Sequence, residues 1–247
     1  MKMKSKTLLF PLITLVSSLA AAQPAVHWSY EGQGSPENWS KLNDAWETCG
    51  KGVFQSPIDI ENTVEAHLPP LALNFEPYTG SIINNGHTIQ ITVHDDDKFT
   101  LDNKPYQLKQ FHFHTPSENK ITGRAFPMEA HFVYADAEGG MAVVAVMLIT
   151  GKENLDIETI LRDVPDEANQ QRSLKKVINL YNLFPQDKHY YRYSGSLTTP
   201  PCTEGITWLV MKHPVELSEQ QLAHFQKALK HSNNRPVQPL SGRLIVE

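Results

Sequence analysis

The sequence predicts a predominantly β domain of the α+β class, a sheet with a few peripheral helices, and three observations carry that prediction. β-rich runs, alternating or continuously apolar, recur at residues 81–93, 98–101, 106–114, 128–134, 141–150, 190–193 and 206–211. Helical spacing is confined to residues 155–162, 167–183 and 219–230. No linker, low-complexity tract or internal repeat interrupts the 247 residues, of which 40% are hydrophobic and 20% charged, so one domain is the simplest organisation.

In chain order, the N-terminus reads as a leader: Lys2, Lys4 and Lys6 precede an apolar run over residues 8–19, and Ala20-Ala21-Ala22 stands before Gln23. This is the layout of a secretory signal peptide, residues 1–22, leaving residues 23–247 as the folded domain. The run is broken by Pro11 and is shorter than the roughly 20 residues a span requires, so no stable membrane insertion is expected after cleavage. Removing three lysines and no acids takes the formal charge from −5 to about −8. That sign is wrong for neutralising phosphates, and nucleic acid is excluded as a partner. An exported chain with only two cysteines, Cys49 and Cys202, and no CxxC pattern predicts a single disulfide.

Within the run 81–93, His87 follows Asn84-Asn85-Gly86, the setting of an exposed turn residue when read alone. The acidic run His94-Asp95-Asp96-Asp97 lacks the ligand spacing of a calcium loop and reads as a solvated turn. The run 106–114 ends in Gln110-Phe111-His112-Phe113-His114. On a strand, His112 and His114 share one face and the two Phe the other. Two imidazoles about 6–7 Å apart along a strand can reach one ion. A third donor comes from Met128-Glu129-Ala130-His131-Phe132-Val133, if that strand pairs with the first across the loop containing Pro116, Gly123 and Pro127. Three neutral histidines leave one vertex of a zinc tetrahedron for an acidified water. Gln110 and Glu129 precede His112 and His131 by two, on the same faces, where each can accept a ring N–H and fix the tautomer. Near the C-terminus, Ser218 with Gln221 three residues on gives the helix 219–230 a capping box.

These motifs, together with His27-Trp28-Ser29-Tyr30, Gln55-Ser56-Pro57-Ile58-Asp59-Ile60, Asn84-Asn85-Gly86-His87, Ser117-Glu118, Ser196-Leu197-Thr198-Thr199-Pro200-Pro201 and Arg235-Pro236-Val237-Gln238-Pro239-Leu240, stand in the order found in α-class carbonic anhydrases. The chain resembles that family over essentially its whole mature length. The resemblance implies a large central mixed, mostly antiparallel twisted sheet and reversible hydration of CO2 to bicarbonate by a hydroxide on one Zn2+ per chain. It implies that His112, His114 and His131 hold the zinc, and that Thr198 accepts from the hydroxide while donating to Glu118. Val133, Val143, Leu197 and Ile206 are then the apolar wall beside CO2, with Thr199 contacting bicarbonate. His87 corresponds to the proton shuttle, and Tyr30, Asn85 and Gln90 to residues ordering the water chain. The Cys49–Cys202 bridge would anchor the loop presenting Thr198, and cis bonds are implied at Ser56-Pro57 and Pro200-Pro201.

Two positions depart from the family pattern: Asn119 stands where many relatives carry His, and Thr115 where animal enzymes commonly have Trp. Both put rate and inhibitor profile in question and leave the reaction intact. The expected partners are CO2 and bicarbonate, with a homodimer left open. The expected location is the periplasm, or else the extracellular space. A minor esterase side activity fits the same nucleophile. A silent binding module on this fold is disfavoured, because all three ligand histidines are present. A dedicated ester hydrolase lacks an elaborated pocket and a leaving-group acid.

Overall fold

Central strands whose residues alternate between two buried faces organise the protein. In the computed structural model, residues 26–93 and 98–247 are described. The leader at residues 1–22 and the run 94–97 lie outside them. The strands are β1 (Asp59–Ile60), β2 (Leu73–Asn74), β3 (Ser81–Asn84), β4 (Ile89–Thr92), β5 (Lys98–Leu101), β6 (Lys104–His114), β7 (Lys120–Ile121), β8 (Met128–Ala135), β9 (Met141–Thr150), β10 (Gln170–Ser173), β11 (Tyr190–Ser196), β12 (Glu204–Met211) and β13 (Val215–Leu217). The α-helices are α1 (Trp39–Leu42), α2 (Thr48–Lys51), α3 (Leu155–Asp163) and α4 (Glu219–Leu229). Eleven strands form one sheet whose main path runs β10-β3-β4-β6-β8-β9-β12-β11. β9 pairs in parallel with β12 and β13, and the other pairs of this sheet are antiparallel, which gives the mixed, mostly antiparallel sheet that was expected.

Alternation assigns the two faces. Phe111, Phe113, Phe132, Val144 and Val146 enter the larger core beneath α3 and α4, together with Ile157, Ile160 and Phe225. Val133, Val143, Ala145, Ile206 and Trp208 form a second cluster. Burying a Phe or Leu stabilises by roughly 1.5–3 kcal/mol, so this double-sided burial holds the central strands rigid. α4 begins where expected: Ser218 Oγ accepts from Gln221 N at 3.2 Å, and Ser218 N donates to Gln221 Oε1 at 3.0 Å.

Two expectations are corrected. Residues 81–93 form not one run but the hairpin β3–β4, whose turn has Gly86 at φ +82 and Asn85 Oδ1 accepting from His87 N and Thr88 N at 2.9 and 2.8 Å. Residues 167–183 are not a helix. They pair as β10 on β3, in register Gln170↔Asn84 to Ser173↔Ser81, and close with a single 3-10 turn at Leu180–Leu183. The edge of β3 needs partners for its N–H and C=O groups, and that need outweighs a weak helical spacing. Leu174, Ile178, Leu180 and Leu183 are buried all the same. The short helices α1 and α2 had no expectation. The disulfide links Cys49 of α2 to Cys202 across 153 residues, and the cis bonds are Ser56-Pro57, Pro200-Pro201 and also Thr115-Pro116.

Candidate metal centre

The β6–β8 register sets His112 opposite His131 and His114 opposite Glu129. Because Phe111 and Phe113 point into the larger core, the imidazoles stand on the other face of the sheet. Ring centroids are 5.1 Å apart for His112–His114, 5.4 Å for His112–His131 and 4.5 Å for His114–His131. One nitrogen from each ring lies within 4.8 Å of the others, the only such group of three or more His, Cys, Asp or Glu among the described residues.

Hydrogen bonds decide which nitrogens those are. His112 Nδ1 meets Gln110 Oε1 at 2.8 Å, and His114 Nδ1 meets the Asn233 carbonyl at 2.7 Å. Both oxygens only accept, so both Nδ1 atoms carry the proton and both Nε2 lone pairs are free. His131 is reversed: its Nε2 meets Glu129 Oε1 at 2.9 Å, leaving Nδ1 free. Gln110 and Glu129 each place an oxygen at one nitrogen of the ring two residues on. His114 Nε2 is buried without a hydrogen-bond partner, and so is Glu118 Oε2, 3.5 Å away. A ring lone pair with no donor, beside a carboxyl oxygen with no partner, fits a cation. Burial, with the neighbouring rings, holds His112 and His131 well below the usual imidazole range, and burial also lowers His114. All three are therefore neutral at pH 7, the form that ligates.

Glu118 and Thr198 are both buried, Glu118 beside the His114 ring and Thr198 against Glu118. Burial pushes the Glu118 carboxyl up to about 8, opposed by the Arg235 backbone N–H and the Thr198 side chain. Arg235 N donates to Glu118 Oε1 at 2.8 Å. Thr198 follows β11 in a loop closed by Leu197 N to Thr203 O at 2.9 Å and Cys202 N to Thr199 O at 2.8 Å. Gln55 Nε2 donates to the Cys202 carbonyl at 3.1 Å, and the disulfide ties the same residue to α2. Val133 and Val143 face each other across β8–β9; Ile206 shares their cluster and Leu197 packs on it. Thr199 is half-buried next to Thr198.

His87 is half-buried rather than exposed: its ring stacks on Trp28, centroids 3.8 Å apart, because the β3–β4 turn folds against the N-terminal segment. Burial, with His27 and His231 nearby, lowers its pKa. Tyr30 lies between Trp28, 5.4 Å away, and His231, 6.0 Å away. Asn85 spends its oxygen on the turn, and Gln90 pairs with His112 across β4–β6.

Sequence reasoning missed three residues. Asn233 orients His114 through its carbonyl, and its side chain holds Thr115 N, the His87 carbonyl and the Phe113 carbonyl at 2.8–2.9 Å. Its main contact is a backbone oxygen in an irregular stretch, which leaves no trace in a pattern. Arg235, noted only as part of a motif, is buried with Nη1 and Nη2 on Gln55 Oε1, Ser56 O and Cys49 O. His231, assigned no role, sits with Nε2 3.1 Å from the Gly86 carbonyl.

Residues 34–247 match the family described as eukaryotic-type carbonic anhydrase. A carbonic anhydrase of Pectobacterium carotovorum is 46% identical over 244 residues, covering 99% of this chain and 100% of that protein. One from Klebsiella pneumoniae is 49% identical over 225 residues, covering 90% and 92%. Among solved structures, the α-carbonic anhydrase of Thermovibrio ammonificans, in complex with the inhibitor sulfanilamide, superposes with a TM-score of 0.88 at 43% identity over 91% of this chain and 100% of that one.

Proposed function

This chain belongs to the eukaryotic-type carbonic anhydrase family, and from that premise we propose that it hydrates CO2 reversibly to bicarbonate and a proton at one zinc ion held by His112, His114 and His131. The observation that carries the reading is the convergence of three free ring nitrogens, each freed by an acceptor fixed on the opposite nitrogen. Zinc bound there would supply an acidified water, its pKa near 7, a value that belongs to carbonic anhydrases in general and was not obtained from this chain.

The chain's own residues do the rest. Thr198, donating its proton to an ionised Glu118, is left with only lone pairs to offer the nucleophile, which fixes the nucleophile's orientation. Burial favours neutral Glu118; the ionised form that accepts from Thr198 would be favoured by a dication held on the adjacent rings. Val133, Val143, Leu197 and Ile206 offer CO2 an apolar wall, and Thr199 meets the bicarbonate. His87 accepts the exported proton: an imidazole titrates near neutrality, and burial beside His27 and His231 sets this one below its ordinary range, so that it passes the proton on readily. Tyr30, Asn85 and Gln90 line the route to it. Activated esters would be cleaved slowly as a side activity. Residues 1–22 direct export, with the periplasm as destination; no helix among the described residues is long and apolar enough to cross a membrane.

Stopped-flow CO2 hydration with and without a chelator tests this. The wild type should carry one zinc and show chelator-sensitive hydration, and replacing any one of the three histidines with Ala should remove both. Hydration that ignores the chelator would refute the reading.

A further inference from the structure

Asn119 is the departure from the family pattern that the reaction leaves unexplained, and it is fully buried. Its backbone N donates to Glu129 Oε2 at 2.8 Å and its Nδ2 to Glu129 Oε1 at 2.7 Å. Oε1 is the same oxygen that receives His131 Nε2 at 2.9 Å, and Oε2 also receives Glu118 N at 2.7 Å. Four donors therefore surround one carboxylate, and Asn119 supplies two of them. On its other side, Asn119 Oδ1 accepts from Ile58 N at 3.1 Å and from the Tyr193 hydroxyl at 2.9 Å. Tyr193 in turn stacks on Trp208, centroids 5.9 Å apart, and Trp208 packs edge-on against His131 at 4.9 Å. The ring of His131 is thus fixed through Glu129 and again through Trp208, and both paths meet at Asn119.

We propose that Asn119 is a positioning residue for the metal centre: by clamping Glu129 against Ile58 and Tyr193, it holds the His131 ring so that Nδ1 faces the other two ligands, and so governs how tightly the metal is retained. A side-chain carboxamide suits this place, because its oxygen accepts two donors while its nitrogen serves Glu129; a neutral imidazole has one acceptor nitrogen and would leave one of those two donors unpaired. The inference rests on the zinc reading above, but its readout is metal release, not turnover.

The test uses the full mature chain loaded with Zn2+ and challenged with excess chelator well below the melting temperature, release being followed by a metal-sensing dye. Asn119→Asp keeps the shape and the acceptor side but replaces the Nδ2 donor with an oxygen facing Glu129. Asn119→Ala removes both arms of the side chain. Both should release zinc faster, by up to the roughly 10–100-fold that losing a ligand's direct partner costs, since Asn119 acts on His131 through Glu129. Asn119→His, which restores one donor toward Glu129, should recover most of that loss, and it provides the comparison with Ala if the Asp variant does not fold. Zinc release at the wild-type rate in Asn119→Ala, with only a lowered melting temperature, would overturn the proposal and leave Asn119 a packing residue. A wild-type chain that binds no zinc would instead overturn the metal reading itself.

Discussion

A carboxyl buried as deeply as Glu118 has a measurable consequence. Its pKa, pushed up to about 8 chiefly by burial, lies above that of an unfolded glutamate. The stability it contributes to the metal-free protein is therefore complete below the unfolded value and is lost as pH rises toward 8. At pH 7 such a group is mostly protonated. Zinc uptake at pH 7 should accordingly expel close to one proton from Glu118, beyond whatever a metal-bound water releases. Titration calorimetry in buffers of different ionisation enthalpy would measure the count, and Glu118→Gln should lower it by that proton. The three imidazoles behave oppositely: depressed by burial, they release no proton at pH 7, but they resist metal loss only until acid protonates them. At this scale, the three converging histidines and their neighbours Gln110 and Glu129 were legible because a strand's two-residue period fixes which side chains share a face. Asn233 was not, because a main-chain oxygen carries no residue identity.

Among the elements, the loop between β11 and β12 depends on a distant one. Thr198 lies four residues before Cys202, whose disulfide closes 153 residues of chain onto the short helix α2. Loop-closure entropy makes such a link worth about 5 kcal/mol, though measured values are often lower. Reduction of the mature protein should therefore lower the melting temperature by roughly 10–20 °C, read by calorimetry with and without reductant. It should also raise hydrogen exchange at Leu197 and Cys202, whose amides close this loop. Unchanged melting would show that Gln55, Arg235 and the Ser56–Ser196 contacts hold the loop without the bridge. The same dependence on remote partners explains why residues 167–183 misled: the apolar spacing of Leu174 and Ile178 suits a helix, but the free edge of β3 takes up Gln170–Ser173 as a strand, and the residues after it follow as an irregular, buried stretch.

For the whole molecule, the leader and the fold make separate demands. If residues 1–22 are a signal peptide, protein recovered from the periplasm of an expressing bacterium should begin at Gln23, as N-terminal sequencing would show; an intact Met1 in that fraction would refute cleavage. The described fold begins after that point, and its disulfide suits an oxidising compartment.

The sequence by itself determined the predominantly β class, the cysteine pair and a histidine set on two strands, because hydrophobic period and residue chemistry are local properties. Only the tertiary structure decided that His112 stands opposite His131, that His131 leaves Nδ1 free while His112 and His114 leave Nε2 free, and that His87 leans on Trp28. Each of these depends on register and on hydrogen-bond partners brought together from distant segments, and a pairing between strands is fixed by the total burial and hydrogen bonding of the sheet, which no single segment encodes.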